Sequence, residues 1–145
     1  GLAPKIGKGV QNLKEGDKVL LPMGTGSMRQ ELKIHASQLT KVPEPYAPDE
    51  QLALITVNGF TAYFLLKDYR KLKKNDWIIQ NAANSSTGQY LVQLANHFGW
   101  KTVCVVRREG TEEILSGCGA DVIVVDGPDL VDRVAEATGN STGSL

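Results

Sequence analysis

No charge of either sign predominates in this sequence: 16 Lys and Arg side chains offset 16 Asp and Glu. Without a basic excess the chain has no general pull toward a phosphate backbone, so no nucleic-acid partner is expected. Long apolar runs are missing too. None approaches the ~20 residues that a bilayer-spanning helix needs, so no membrane partner is expected. The opening "GLAPKIGKGV" has no apolar core of the kind a signal peptide carries. Cysteine is scarce. Cys104 and Cys118 have no C-x-x-C spacing and lie among apolar or small residues. They read as buried free thiols, which points to a reducing compartment.

What is present is a chain of 145 residues, 41% of them hydrophobic. That suffices for a real core, in one domain or in parts of two. Residues 15–22, "EGDKVLLP", read as a turn and an apolar strand stopped by Pro22. "SMRQELKIHASQLTKVP" (27–43) shows patches of alternation, so strand-rich structure is expected across it. "VPEPYAPDE" (42–50) carries three prolines and reads as a linker. Pro48-Asp49-Glu50 then makes a good first helical turn, its acids near the positive end of the helix dipole. "DEQLALITV" reads as helix, and a second helix is expected to begin near Asn58-Gly59.

A regular alternation follows. Strands are expected at 76–82, 101–106 and 121–126, and helices at 88–99, 111–119 and 128–139. On the first of these helices Leu91, Leu94, Ala95 and Phe98 share a face. On the last, Leu130, Val131, Val134 and Ala135 do. Strands and helices alternating with short loops form βαβ units on a parallel sheet. The expected architecture is α/β: one half of a doubly wound Rossmann parallel sheet, in strand order 3-2-1. Three further strands would complete such a sheet, so the chain reads as a fragment.

The first strand-to-helix turn is "NAANSSTGQ" (81–89). A helix N-terminus there would offer unpaired N–H groups and a positive dipole end, which suit a pyrophosphate. The usual G-x-G-x-x-G fingerprint is reduced to its last glycine, Gly88. Asn84, Ser85, Ser86 and Thr87 supply small donors in its place, while Gly88 permits close helix–strand packing. A plain helix cap by Ser85, Ser86 or Thr87 is the alternative. The second strand ends in "VVRRE", with Arg107 and Arg108 at the position that reads a ribose 2′ substituent. Guanidinium groups there suit a 2′-phosphate, and so NADP over NAD. Two solvated arginines are the other reading.

"VNGFTAYFLLKDY", "DWIIQNAANSSTGQYLVQLA" and "TVCVVRRE" together resemble the medium-chain dehydrogenase/reductase superfamily. Within it they resemble the 2-enoyl thioester reductases of mitochondrial and bacterial type, and next the quinone oxidoreductase-like proteins. "GKGVQNLKEGDKVLLP" and "ASQLTKVP" resemble the end of the superfamily's GroES-like catalytic domain. The resemblance implies a strand-rich remnant of that domain over 1–47 and the first half of the cofactor domain, with its leading helices, over 48–145. It implies NADPH-dependent reduction of the C2–C3 double bond of a trans-2-enoyl thioester. The alternatives are zinc-independent reduction of a quinone or other activated alkene, and nucleotide binding without catalysis.

Carried over residue by residue, Asn84, Ser85, Ser86, Thr87, Gly88 and Gln89 would hold the pyrophosphate. Arg107, with Arg108, would hold the 2′-phosphate, and Asn58 and Thr61 would lie near the nicotinamide. Ser86-Thr87 replace the family's Gly-Val, and Met28 replaces an aromatic residue. The family's tyrosine proton donor belongs to the N-terminal part of its catalytic domain. No residue here matches that motif, so the catalytic residue stays unassigned; Tyr46, Tyr63, Tyr69 and Tyr90 stand in other contexts. Only Met23 separates "GDKVLLP" from "GTGS", where zinc-dependent members insert a cysteine-rich lobe. No metal is therefore expected, His35 and His97 being isolated. The resemblance implies a homodimer at full length, in a bacterial cytoplasm or a mitochondrion.

Overall fold

The computed structural model describes residues 1–26 and 28–139. The chain divides into two compact units, Gly1–Thr56 and Val57–Leu145.

In the first unit β1 (Val19–Leu20) pairs antiparallel with β2 (Thr40–Lys41), Val19 opposite Lys41. Ala3, Leu13, Val19 and Val42 form its buried apolar set. Among them lies a fully buried carboxylate, Asp17. Its Oδ2 accepts the Lys14 N–H at 2.9 Å and pairs with Lys41 Nζ at 2.9 Å. The Lys14 hydrogen bond, then the Lys41 ammonium, hold the Asp17 carboxyl below the usual carboxylate value. Asp17 in turn holds the Lys41 ammonium above the usual lysine value. The unit ends in α1 (Asp49–Leu54), with Asp49 and Glu50 in its first turn and Pro48 before it, as the proline and acids require.

The strand-rich expectation for 27–43 needs correction. Among the described residues of that span, only the 3-10 turn Ala36–Gln38 and the short β2 are regular. Met28 is fully exposed and Leu32 more than one-third so. Alternation that buries no face has nothing to hold it as a strand.

The second unit opens with helical residues. The start expected near Asn58-Gly59 is not a break. Ile55–Gly59 is a π-helical segment, and Gly59 keeps right-handed helical dihedrals into α2 (Phe60–Lys67). The sequence signal, an Asn-Gly pair, marks a widened turn rather than a loop.

After it come β3 (Trp77–Gln80), α3 (Ser86–Phe98), β4 (Lys101–Val106), α4 (Glu112–Gly117), β5 (Val122–Val125) and α5 (Leu130–Ala137). The three strands form one parallel sheet in the order β3-β4-β5, the half-sheet order expected. Gln80 lies opposite Cys104, and Val106 opposite Val125. The central strand explains the continuous apolar run "TVCVV": Thr102 to Val106 are all buried. Each buried Val here contributes about 1.5–3 kcal/mol over exposure.

Helix α3 buries two sides. Leu91 and Ala95 pack with Ala62, Leu66, Ile78 and Trp100, with Leu94 and Phe98 at the margin. Val92 faces a second cluster of Ala83, Cys104, Val106 and Leu115. The helix stops at Gly99, whose φ of 75° suits glycine, and the Trp100 N–H bonds back to the Ala95 carbonyl at 2.9 Å. The face expected on α5 is only partly realised: Leu130, Val134 and Ala135 are half-buried, but Val131 is 79% exposed. Nothing among the described residues covers it. No helix among the described residues is long and apolar enough to cross a membrane.

Candidate functional site

The candidate site forms where the strands of the second unit end. The chain leaves β3 at Gln80 and turns through Asn81–Ser85 into α3. The turn lies against the end of β4, with the Ala83 N–H donating to the Val105 carbonyl at 3.3 Å. The Asp126 N–H donates to the Val106 carbonyl at 2.7 Å and continues that rim.

Ser85 is the helix cap. Its backbone is extended, and its Oγ accepts the Gly88 N–H at 3.1 Å. The Gln89 N–H closes on the Ser85 carbonyl at 2.9 Å. Ser86 and Thr87, in the first turn, have N–H groups without intrahelical acceptors, at the positive end of a 13-residue helix. The cap alternative from the sequence is realised by Ser85, and two first-turn N–H groups remain without an intrahelical acceptor.

Gly88 is sterically required. A Cβ there would lie 2.8 Å from the Ala83 carbonyl carbon and 2.9 Å from its Cα, and closer still to its oxygen. These are backbone atoms and cannot step aside. Helix and turn approach as closely as they do because this side chain is absent.

Two residues at or beside the turn carried no motif that marked them in the sequence. Ala82 holds φ +47°, a left-handed conformation that side chains disfavour. Its carbonyl accepts the Ser85 N–H at 2.9 Å. Ala82, Ser85 and Gly88 are spaced three apart, and that spacing was the available signal. Gln80 is the second. Its Nε2 donates to the Gly88 carbonyl at 3.2 Å and approaches Cys104 Sγ at 3.6 Å. A lone glutamine closing an apolar strand could have pointed to it.

The other candidate residues divide by location. Asn84 is exposed, and its carbonyl accepts Gln89 Nε2 at 3.0 Å, so Gln89 braces the turn through its side chain. Thr87 reaches Asn58: its hydroxyl donates to Asn58 Oδ1 at 3.0 Å. Thr61 lies on exposed helix surface and gives its hydroxyl proton to the Val57 carbonyl at 2.6 Å. Arg107 and Arg108 are exposed directly after β4. Neither forms one of the ion pairs among the described residues.

Cys104 is buried and free, as expected, and burial pushes its thiol up. Cys118 is free and half-buried. His97 is exposed and sits edge-on to Phe98, while His35 caps the Ala36–Gln38 turn. No group of three or more potential metal ligands occurs among the described residues.

A three-stranded parallel sheet with a capped, glycine-packed turn leading into its first helix is the architecture of one half of a doubly wound sheet. No family model matches the chain. Its relatives are specific nonetheless. It is 42% identical over 131 residues to the mitochondrial enoyl-[acyl-carrier-protein] reductase of Dictyostelium discoideum, covering 86% of this chain and 37% of that protein. A mutant form of enoyl thioester reductase from Candida tropicalis superposes with a TM-score of 0.79 at 27% identity, covering 97% of this chain and 44% of that one. Escherichia coli quinone oxidoreductase complexed with NADPH superposes with a TM-score of 0.69 at 26% identity, covering 99% and 44%. These relatives and neighbours accord with the resemblance to the medium-chain dehydrogenase/reductase superfamily. The chain spans about a third of the length of the curated relatives it matches.

Proposed function

We propose that the chain is the dinucleotide-binding part of an NADPH-dependent reductase acting on the C2–C3 double bond of trans-2-enoyl thioesters. The turn at 81–89 carries this reading: Gly88 without a Cβ, the Ser85 cap, and two N–H groups left over in the first turn of α3. Those N–H groups and the dipole end would take the pyrophosphate, with Asn84 and the Ser86 hydroxyl as further donors. Arg107 and Arg108, exposed at the end of β4 and without an ion pair among the described residues, would take the 2′-phosphate. The Thr61 proton is already given to Val57, so its hydroxyl would offer the nicotinamide amide an acceptor.

Bound NADPH supplies the hydride that reduces such an alkene. The chain's own residues bind and orient it. The curated relatives named enoyl-[acyl-carrier-protein] reductase support the thioester as substrate and a mitochondrial setting. The Escherichia coli neighbour supports quinone reduction as the second reading. We further propose the homodimer and the division of the chain into 1–47 and 48–145.

The test is to follow NADPH absorbance in the full-length protein with crotonyl thioester and, separately, with a quinone. Oxidation with the thioester alone is the expected result. Oxidation only with the quinone would move the assignment to the second reading. NADPH binding without turnover of either would leave a nucleotide-binding protein.

A further inference from the structure

Thr87 occupies the second helical position of α3, where a hydroxyl would ordinarily be assigned to the phosphate. Its proton is committed elsewhere: Thr87 Oγ1 donates to Asn58 Oδ1 at 3.0 Å, across 29 residues of sequence. The acceptor lies within the π-helical segment Ile55–Gly59, and widened turns of this kind are common at functional sites. The turn is further marked by the Thr61 hydroxyl, bound back to the Val57 carbonyl within it.

An amide has two ends. Once its oxygen accepts from Thr87, its nitrogen is left with two N–H donors. Asn58 is only half-buried, so those donors can be reached from outside.

We propose that Thr87 is a positioning residue for Asn58: its hydroxyl fixes which way the Asn58 amide faces, so that the Nδ2 donors meet an acceptor oxygen of the bound dinucleotide. This rests on the NADPH reading above. Thr87 then acts through Asn58, and the two behave as one unit. A free hydroxyl at Thr87 would instead act on the cofactor independently of residue 58.

The experiment is NADPH titration of the full-length protein by calorimetry, for the unsubstituted form and for Thr87→Val, Thr87→Ser, Asn58→Ala and the Thr87→Val/Asn58→Ala pair. Thr87→Val keeps the shape and removes the hydroxyl. It should weaken NADPH about as much as Asn58→Ala does, on the order of tenfold. The pair should be no worse than either single change, and Thr87→Ser should restore binding. Asn58→Asp, which keeps an acceptor for Thr87 but has no donors, should bind as poorly as Asn58→Ala. Losses that add in the pair, or unchanged affinity in Thr87→Val or Asn58→Asp, would overturn the coupling while leaving NADPH binding intact. No NADPH binding by the unsubstituted protein would overturn both readings.

Discussion

At the scale of single residues, the turn into α3 is governed by what two side chains lack or tolerate. Gly88→Ala would drive a methyl into the Ala83 backbone. The expected cost is about 1–3 kcal/mol, the range for overpacking, with a larger proportional loss of NADPH affinity. Urea denaturation and cofactor titration on the same variant check both. Ala82 is the reverse case. Holding φ +47° costs a non-glycine residue on the order of 1–2 kcal/mol, partly regained through the stiffer unfolded chain. Ala82→Gly should therefore stabilise the protein, by up to about 1 kcal/mol. A lower melting temperature for that variant would show the turn to be less strained than its dihedral implies.

At the scale of elements, the pairing of β4 with β5 begins with a side chain. Asp121 Oδ2 accepts the Thr102 N–H at 2.8 Å and the Thr102 hydroxyl at 3.3 Å, and the Asp121 N–H donates back to that hydroxyl at 3.3 Å. Thr102 is buried, so Asp121→Ala leaves donors without partners and should cost about 1–3 kcal/mol by chemical denaturation. The β1–β2 pair is held differently, by the Asp17–Lys41 ion pair. Asp17 titrates below its ordinary value of 3.8, so its stabilisation is present above that pH and is lost as pH falls through the folded value. Lys41 titrates above 10.5, so its share is present below that pH and is lost as pH rises beyond it. Melting curves of Asp17→Asn should lose the acid-side decline that the unsubstituted protein shows.

At the scale of the whole molecule, the two compact units have unequal means of holding themselves together. Among its described residues Gly1–Thr56 has two strands of two residues each, whereas the second unit has a buried central strand packed against helices. Hydrogen exchange should protect the amides of Val103–Val106 most strongly and those of 1–56 much less. Comparable protection in both would mean that the first unit draws stability from elsewhere. In the proposed function cofactor choice belongs to this scale as well, because it would depend on two strand ends of one sheet. Arg107→Ala with Arg108→Ala should weaken NADPH at least tenfold, about 1.4 kcal/mol, and leave NADH nearly unchanged. Equal losses for the two cofactors would remove the arginines from 2′-phosphate recognition.

By itself, the sequence determined the half-sheet. Continuous apolar strands and amphipathic helices have only one economical arrangement, so β3-β4-β5 and the serine-capped α3 were legible from periodicity and end signals. It also determined Gly88, because a lone glycine before a helical run has few other uses. Tertiary structure alone decided the rest. Alternation across 28–43 left Met28 and Leu32 exposed, and only Thr40–Lys41 became a strand. The Asn-Gly pair at 58–59 widened a helix instead of ending it. Ala82 took a left-handed backbone in the turn between β3 and α3, and the Thr87 hydroxyl found Asn58, 29 positions earlier, only because folding brought the two together. Local patterns specify what a segment can bury. Which polar atoms then meet is set by contacts between segments that no local pattern contains.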